Sequence, residues 1–252
     1  MKKTSFILMI GAVAMILSSC KTDETATNAV TNDEVAEMVS MSLSENAMGA
    51  TAMVQTSVGT AGSMSASNAP QKVKSENADY TFSNDTTFTV SSKSGARITY
   101  LLTATYGYEF TVNPQGQITS ASESYSYSGN YNAPRISSTH TGSGTLKLTN
   151  MNTSICTVNG TFIRIASTET KGISPKSSNS ETHFNFTNIM VNKSTSTIQS
   201  GIATLTISGS VPNKGDFSYT GSITFNGDNM ATLVIKDKTY TVNLKTGDYT
   251  AN

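Results

Sequence analysis

Ile98-Thr-Tyr-Leu-Leu-Thr-Ala-Thr-Tyr-Gly-Tyr-Glu-Phe-Thr-Val112 is the stretch whose reading decides the fold. Its even positions are Ile98, Tyr100, Leu102, Ala104, Tyr106, Tyr108, Phe110 and Val112, all apolar or aromatic, while its odd positions are mostly Thr. Side chains alternate between the two faces of a strand, so this spacing predicts one long ribbon with a wet side and a dry side. At about 3.3 Å per residue such a ribbon exceeds common strand length, and Gly107 is expected to mark a bend. Asn113-Pro-Gln-Gly116 places Asn at i, Pro at i+1 and Gly at i+3 of a type I turn. A second strand, Gln117 to Tyr131, then returns antiparallel with Ala121, Tyr125, Tyr127 and Tyr131 on one parity. Ile118 falls on the other parity, which implies a bulge near the turn.

The same alternation continues outward from this pair. Tyr80-Thr-Phe82 and Phe88-Thr-Val90 read as short strands around Ser83-Asn84-Asp85. Thr145 to Leu148, Ile155 to Ala166, Thr182 to Val191, Ile202 to Val211, Phe217 to Phe225, Ala231 to Ile235 and Tyr240 to Leu244 extend the series. Turn chemistry separates them at Thr141-Gly-Ser-Gly144, Pro212-Asn-Lys-Gly215, Asn226-Gly-Asp-Asn229 and Asp237-Lys238. Asn159-Gly160 is either a two-residue turn or a bulge within one strand. The fold class that follows is mainly β: an antiparallel β-meander over residues 80–252, arranged as a curved sheet, a sandwich or a barrel-like body.

The chain of 252 residues carries few charges, 13% in all, with 17 basic against 17 acidic side chains. Ser, Thr, Asn and Gly fill the difference, which suits solvent-facing strands. Nothing in this balance gathers phosphates, so nucleic acid is excluded as a partner.

The N-terminus gives the compartment. Met1-Lys-Lys3 is a basic start, and Phe6 to Leu17 is an apolar run. The run is shorter than the roughly 20 residues that span a bilayer and fits a secretory signal. Leu17-Ser-Ser-Cys20 follows and resembles the bacterial lipobox, in which the Cys is lipidated and becomes the first mature residue. Cys20 is therefore the expected lipidation site and the anchor of the chain in the membrane, with residues 1–19 as the lipoprotein signal peptide. The acids after it, in Lys21-Thr-Asp-Glu24, look like a surface-export signal, so outer-membrane attachment facing the cell exterior is expected, with a periplasm-facing lipoprotein as the alternative. Residues 20–79 then form a tether. Thr31-Asn-Asp-Glu34 has the form of a capping box, and Val35, Met38, Val39 and Leu43 follow at helical spacing, so one N-terminal α-helix is predicted over about residues 32–47. Gly49 to Ala78 reads as a flexible connector.

The run Gly201-Ile-Ala-Thr-Leu-Thr-Ile-Ser-Gly209, with Phe217 to Gly227, Ala231-Thr-Leu233 and Tyr240-Thr-Val242, resembles uncharacterised surface lipoproteins of Bacteroidota. The lipobox, the acids behind it and the first helix agree with that resemblance. Its motifs mark strands and turns rather than chemistry, so it implies no activity and no catalytic residue.

There is no nucleophile elbow, zinc-protease helix, phosphate loop or calcium loop. His140 and His183 are the two histidines, and only His183 has a close acid, Glu181. No cofactor and no metal are implied. Cys156, the Cys left once Cys20 is lipidated, fits Ile155-Cys-Thr-Val158 as a small core residue. Glu109, Glu123, Asp216 and Asp228 are the carboxylates from which a glycan-processing enzyme would have to be built. Tyr106, Tyr108, Tyr125, Tyr127 and Tyr131 cluster on paired strands, either as a binding face for a glycan or an envelope protein or as cross-strand core. Asp85-Thr-Thr87 resembles a short O-glycosylation motif, with Thr86 as the acceptor. The functional expectation is a non-enzymatic binding or structural envelope lipoprotein. The alternative is a carrier or sensor of an apolar ligand held between sheet and helix, in a cavity lined by the even-parity residues of Ile98 to Val112.

Overall fold

The structure, a computed structural model, describes residues 29–64 and 78–252 apart from 94, 96–98, 135 and 172–176. Cys20, the signal peptide and the acids at 21–24 lie outside the described residues. Two helices, α1 (Asn32–Leu43) and α2 (Ala50–Ser63), precede eleven strands. The strands are β1 (Tyr80–Ser91), β2 (Thr99–Val112), β3 (Ile118–Asn132), β4 (Ile136–Thr149), β5 (Ile155–Thr170) and β6 (Ser177–Asn192). They continue as β7 (Thr197–Val211), β8 (Gly215–Gly227), β9 (Met230–Ile235), β10 (Lys238–Asn243) and β11 (Tyr249–Ala251). All eleven form one sheet in sequence order, antiparallel throughout, with β1 and β11 at its two ends.

Both helices lie on one face of that sheet. The hydroxyl of Tyr106 on β2 donates to Met53 Sδ of α2 at 3.2 Å, and that of Tyr240 on β10 donates to Asp33 of α1 at 2.7 Å. The even-parity residues of β2 meet α2 instead of solvent. Tyr106, Tyr108, Phe110 and Val112 are all at most 2% exposed.

α1 forms where its capping box predicts. Thr31 accepts from the Glu34 amide at 3.2 Å, and the Glu34 carboxylate accepts from the Thr31 amide at 3.0 Å. Asp33 and Glu34 place negative charge at the positive end of the helix dipole. The same acids fix the helix to the sheet: Lys214 reaches Glu34 at 2.7 Å and Lys238 reaches Asp33 at 3.2 Å.

α2 corrects the expectation of a flexible connector from Gly49 to Ala78. Its Ala50, Met53, Val54, Ser57, Val58 and Ala61 recur at helical spacing and are all buried. The turn into it requires glycine, because a Cβ on Gly49 would stand 2.3 Å from the Ser42 carbonyl oxygen.

Two strand expectations also change. Tyr80 to Ser91 is one strand, with no turn at Ser83-Asn84-Asp85, because every residue pairs with β2 from Tyr80↔Val112 to Ser91↔Leu101. Pairing of β2 with both neighbours runs without a register shift through Gly107. Thr141-Gly-Ser-Gly144 lies inside β4 and is not a turn. A Cβ on Gly142 would come within 2.1 Å of the Tyr127 ring, and one on Gly144 within 2.5 Å of Tyr125 Oη. These glycines leave room for the β3 tyrosines to lie across β4 and stack on Phe162 of β5, with centroids 6.0 Å apart in both pairs. Asn159-Gly160 resolves as an irregularity within β5, where register against β6 shifts between Val158 and Gly160. The expected bulge beside the Asn113 turn is present between Thr111 and Val112.

Candidate functional site

Strand parity decides which polar groups enter the interior. On β5, Phe162, Arg164 and Ala166 share the face that meets the helices. Arg164 is only 2% exposed, the largest side chain buried so fully. Its Nη1 donates to the Met41 carbonyl of α1 at 3.1 Å, which satisfies one of the carbonyls left open at a helix C-terminus. Its Nε is buried with no acceptor among the described residues. Burial presses the guanidinium pKa downward, and the neighbouring Tyr127 opposes that only in part. None of the described ion pairs involves Arg164.

Around this cation the interior is polar. His140 on β4 is 4% exposed, and neither ring nitrogen has a partner among the described residues. Burial first, and the Arg164 charge second, lower its pKa to about 3, so the imidazole is neutral at physiological pH. Tyr127 sits edge-on to His140, with ring centroids 5.7 Å apart, and burial pushes its phenol up to about 12. Thr182 of β6, paired with Arg164 across the strands, lies 3.5 Å from Ser42 Oγ of α1.

Arg164 lines a cleft of about 70 Å³ between α1 and strands β4 to β7. Met38 and Met41 of α1, with Ile136 and Val211, supply apolar walls; Ser138, Thr168 and Ser180 supply hydroxyls. Ser138 Oγ accepts from Thr168 at 3.3 Å, which leaves its own proton available. Glu34 and Glu37 also line the cleft. On the even-parity face of β2, Leu102 to Val112 are buried, with Tyr106 against Met53 of α2.

A second buried polar group lies beneath α2. Glu123 of β3 is 3% exposed, and burial raises its carboxyl to about 8. Ser57 Oγ is 2.8 Å from Glu123 Oε1 and 2.8 Å from the Met53 carbonyl. A hydroxyl has one proton to give, so both contacts are satisfied when it donates to Met53 and the neutral carboxyl donates to it. Burial, with the Glu123 charge adding to it, also raises the phenols of Tyr106, Tyr108 and Tyr125.

The structure separates the other residues singled out from sequence. Tyr106, Tyr108, Tyr125, Tyr127 and Tyr131 are at most 8% exposed, so they are core and not an exposed binding face. Glu109 and Glu123 lie on opposite faces of the sheet, one exposed and one buried, while Asp216 and Asp228 are exposed near the turns that flank β8. The four carboxylates do not converge. His183 is exposed, with Nε2 2.6 Å from Glu181 on the outer face. Cys156 is buried against Met151 Sδ at 3.4 Å, and burial pushes its thiol up to about 11. Thr86 is half-buried on the end strand β1, with the parity that faces the helices. Among the described residues no group of three or more His, Cys, Asp or Glu could hold a metal ion, and no helix is long and apolar enough to cross a membrane.

Sequence reasoning missed Arg164. The available signal was its place in Phe162-Ile-Arg-Ile-Ala166, where a cation occupies the parity of Phe162 and Ala166. No protein-family model, curated protein or solved structure matches the chain.

Proposed function

We propose that this chain is a cell-envelope lipoprotein, anchored through Cys20 and displayed outward, whose β-domain binds a ligand and performs no chemistry. The anchor rests on the basic start, the apolar run and Leu17-Ser-Ser-Cys20. The observation that carries the binding reading is the cleft between α1 and the sheet, with mixed thioether and hydroxyl walls and a buried cation. Ligand sites are typically concave, mostly apolar and furnished with a few placed polar groups. This favours a ligand held between helix and sheet over a purely structural role. It also moves that ligand from the β2 face to the β4–β7 face.

Metabolic labelling with an alkynyl fatty acid tests the anchor. Label on the wild type and none on Cys20→Ala is the expected result, and equal label on both overturns it. Protease shaving of intact cells tests display: loss of the β-domain is expected, and full protection places it inside the envelope.

A further inference from the structure

We propose that the cleft between α1 and strands β4 to β7 takes a small aliphatic carboxylate, its head paired with the Arg164 guanidinium. This rests on the binding reading above and names the chemical class of the ligand.

A buried ion ordinarily has a counter-ion, because removing it from water costs several kcal/mol or more unless an opposite charge and hydrogen bonds offset the loss. Arg164 carries five N–H donors. Among the described residues one bond is made, from Nη1 to the Met41 carbonyl, and Nε has no acceptor. The partial negative charge at the end of α1 compensates about half an elementary charge at most. Capping of α1 therefore accounts for part of this residue. A monoanion in the cleft would complete the neutralisation of the guanidinium.

The shape of the donor fixes the shape of the acceptor. A guanidinium presents parallel N–H bonds in a plane, which a carboxylate matches with its two oxygens. Ser138, whose hydroxyl proton is uncommitted, can give a further bond. A dianionic phosphate would need a second cation; among the described residues Lys214 lies 2.7 Å from Glu34, and Lys171 reaches Asn132 and the Ala133 carbonyl. Glu34 and Glu37 on the cleft wall also weigh against a second negative charge.

Size and walls set the rest of the molecule. A site of about 70 Å³ holds roughly five waters, at 10–15 Å³ each on the same measure, or a carboxyl with a short chain. Met38, Met41 and Ile136 give that chain an apolar wall, and thioethers adapt to chains of different length.

The test is calorimetric titration of the full chain in phosphatidylcholine nanodiscs with hexanoate, hexyl phosphate, hexylamine and hexanol. Saturable binding of hexanoate is expected, at least tenfold tighter than the other three. Arg164→Met should weaken it at least thirtyfold, and Arg164→Lys, which keeps the charge and loses the fork, at least fivefold. Should Arg164→Met fail to fold, Ala166→Leu fills the cleft while keeping the guanidinium, and should abolish binding. Hexanol binding as well as hexanoate overturns the anion assignment and leaves the cleft as a binding site. Tighter hexyl phosphate overturns the carboxylate class. Binding of none of the four overturns both this inference and the cleft as the binding seat, while label on Cys20 would still stand.

Discussion

The Glu123→Gln variant isolates how much the fold depends on a protonated carboxyl in its interior. Burial raises Glu123 to about 8 from an ordinary value of 4.5. Between those values the folded chain holds a proton that the unfolded chain releases, so stability falls as pH rises. The slope is about 1.4 kcal/mol per pH unit, or about 5 kcal/mol across the whole window. His140 acts with the opposite sign. Burial lowers it to about 3 from 6.5, so the unfolded chain binds a proton that the folded chain refuses, and stability is lost as pH falls. The two slopes overlap between pH 4.5 and 6.5 and cancel there. Wild-type stability is therefore expected to be level across that interval and to fall by about 2 kcal/mol from pH 6.5 to 8. It should also fall by about 2 kcal/mol from pH 4.5 to 3, more once Asp33 and Glu34, both held below their ordinary values, begin to protonate. In Glu123→Gln the alkaline decline disappears, and stability climbs by about 3 kcal/mol between pH 4.5 and 6.5 because His140 is no longer opposed. Urea denaturation of both proteins across pH 3 to 9 measures this. A Gln variant that keeps the wild-type decline above pH 6.5, or a wild type that gains stability there, would refute the reasoning.

Other outcomes follow from the packing. Gly142→Ala forces a methyl into the Tyr127 ring, which a Cβ would approach to 2.1 Å, and should cost about 1–3 kcal/mol in urea denaturation. Combining it with Tyr127→Ala should recover part of that loss, and strictly additive costs would mean the ring is not the obstacle. Tyr240→Phe removes the hydroxyl that donates to Asp33 at 2.7 Å, and should lower stability by about 1–3 kcal/mol at pH 7. The loss should shrink as acid protonates Asp33, which the Tyr240 and Lys238 contacts hold below its ordinary range; a loss of constant size throughout an acid titration would show that the charge on Asp33 plays no part.

The β-domain was largely legible because strand parity is a local signal. Ile98 to Val112 alternates without a break, and the strand at Thr99–Val112 buries the predicted face. The misreadings have a common cause, which is that Gly and small residues act through neighbours distant in sequence. Gly142 and Gly144 look like turn residues until the tyrosines that lie over them are known. Ala50 to Ser63 looks like a connector because its side chains are small, yet their smallness lets the helix approach the aromatic face. The helical spacing of Ala50, Met53, Val54, Ser57, Val58 and Ala61 was present in the sequence, obscured by Thr, Ser and Gly between them. The tyrosines were read correctly as a cluster, but whether they face solvent depends on whether a second helix covers them. Arg164 was harder to recognise, since one arginine in a strand is ordinarily exposed. Its importance comes from the absence of a described carboxylate pairing with it, a property of the folded interior that no local pattern carries.

The most direct measurement of the binding account is a titration of hexanoate into the full chain with ¹³C-labelled methionine methyl groups. Met38 and Met41 line the cleft, Met53 lies beneath Tyr106, and Met190 is exposed on the outer face. Saturable shifts confined to Met38 and Met41, absent in Arg164→Met, are the predicted result. Shifts centred on Met53 or Met190, or none at any concentration that perturbs the wild type elsewhere, would contradict it.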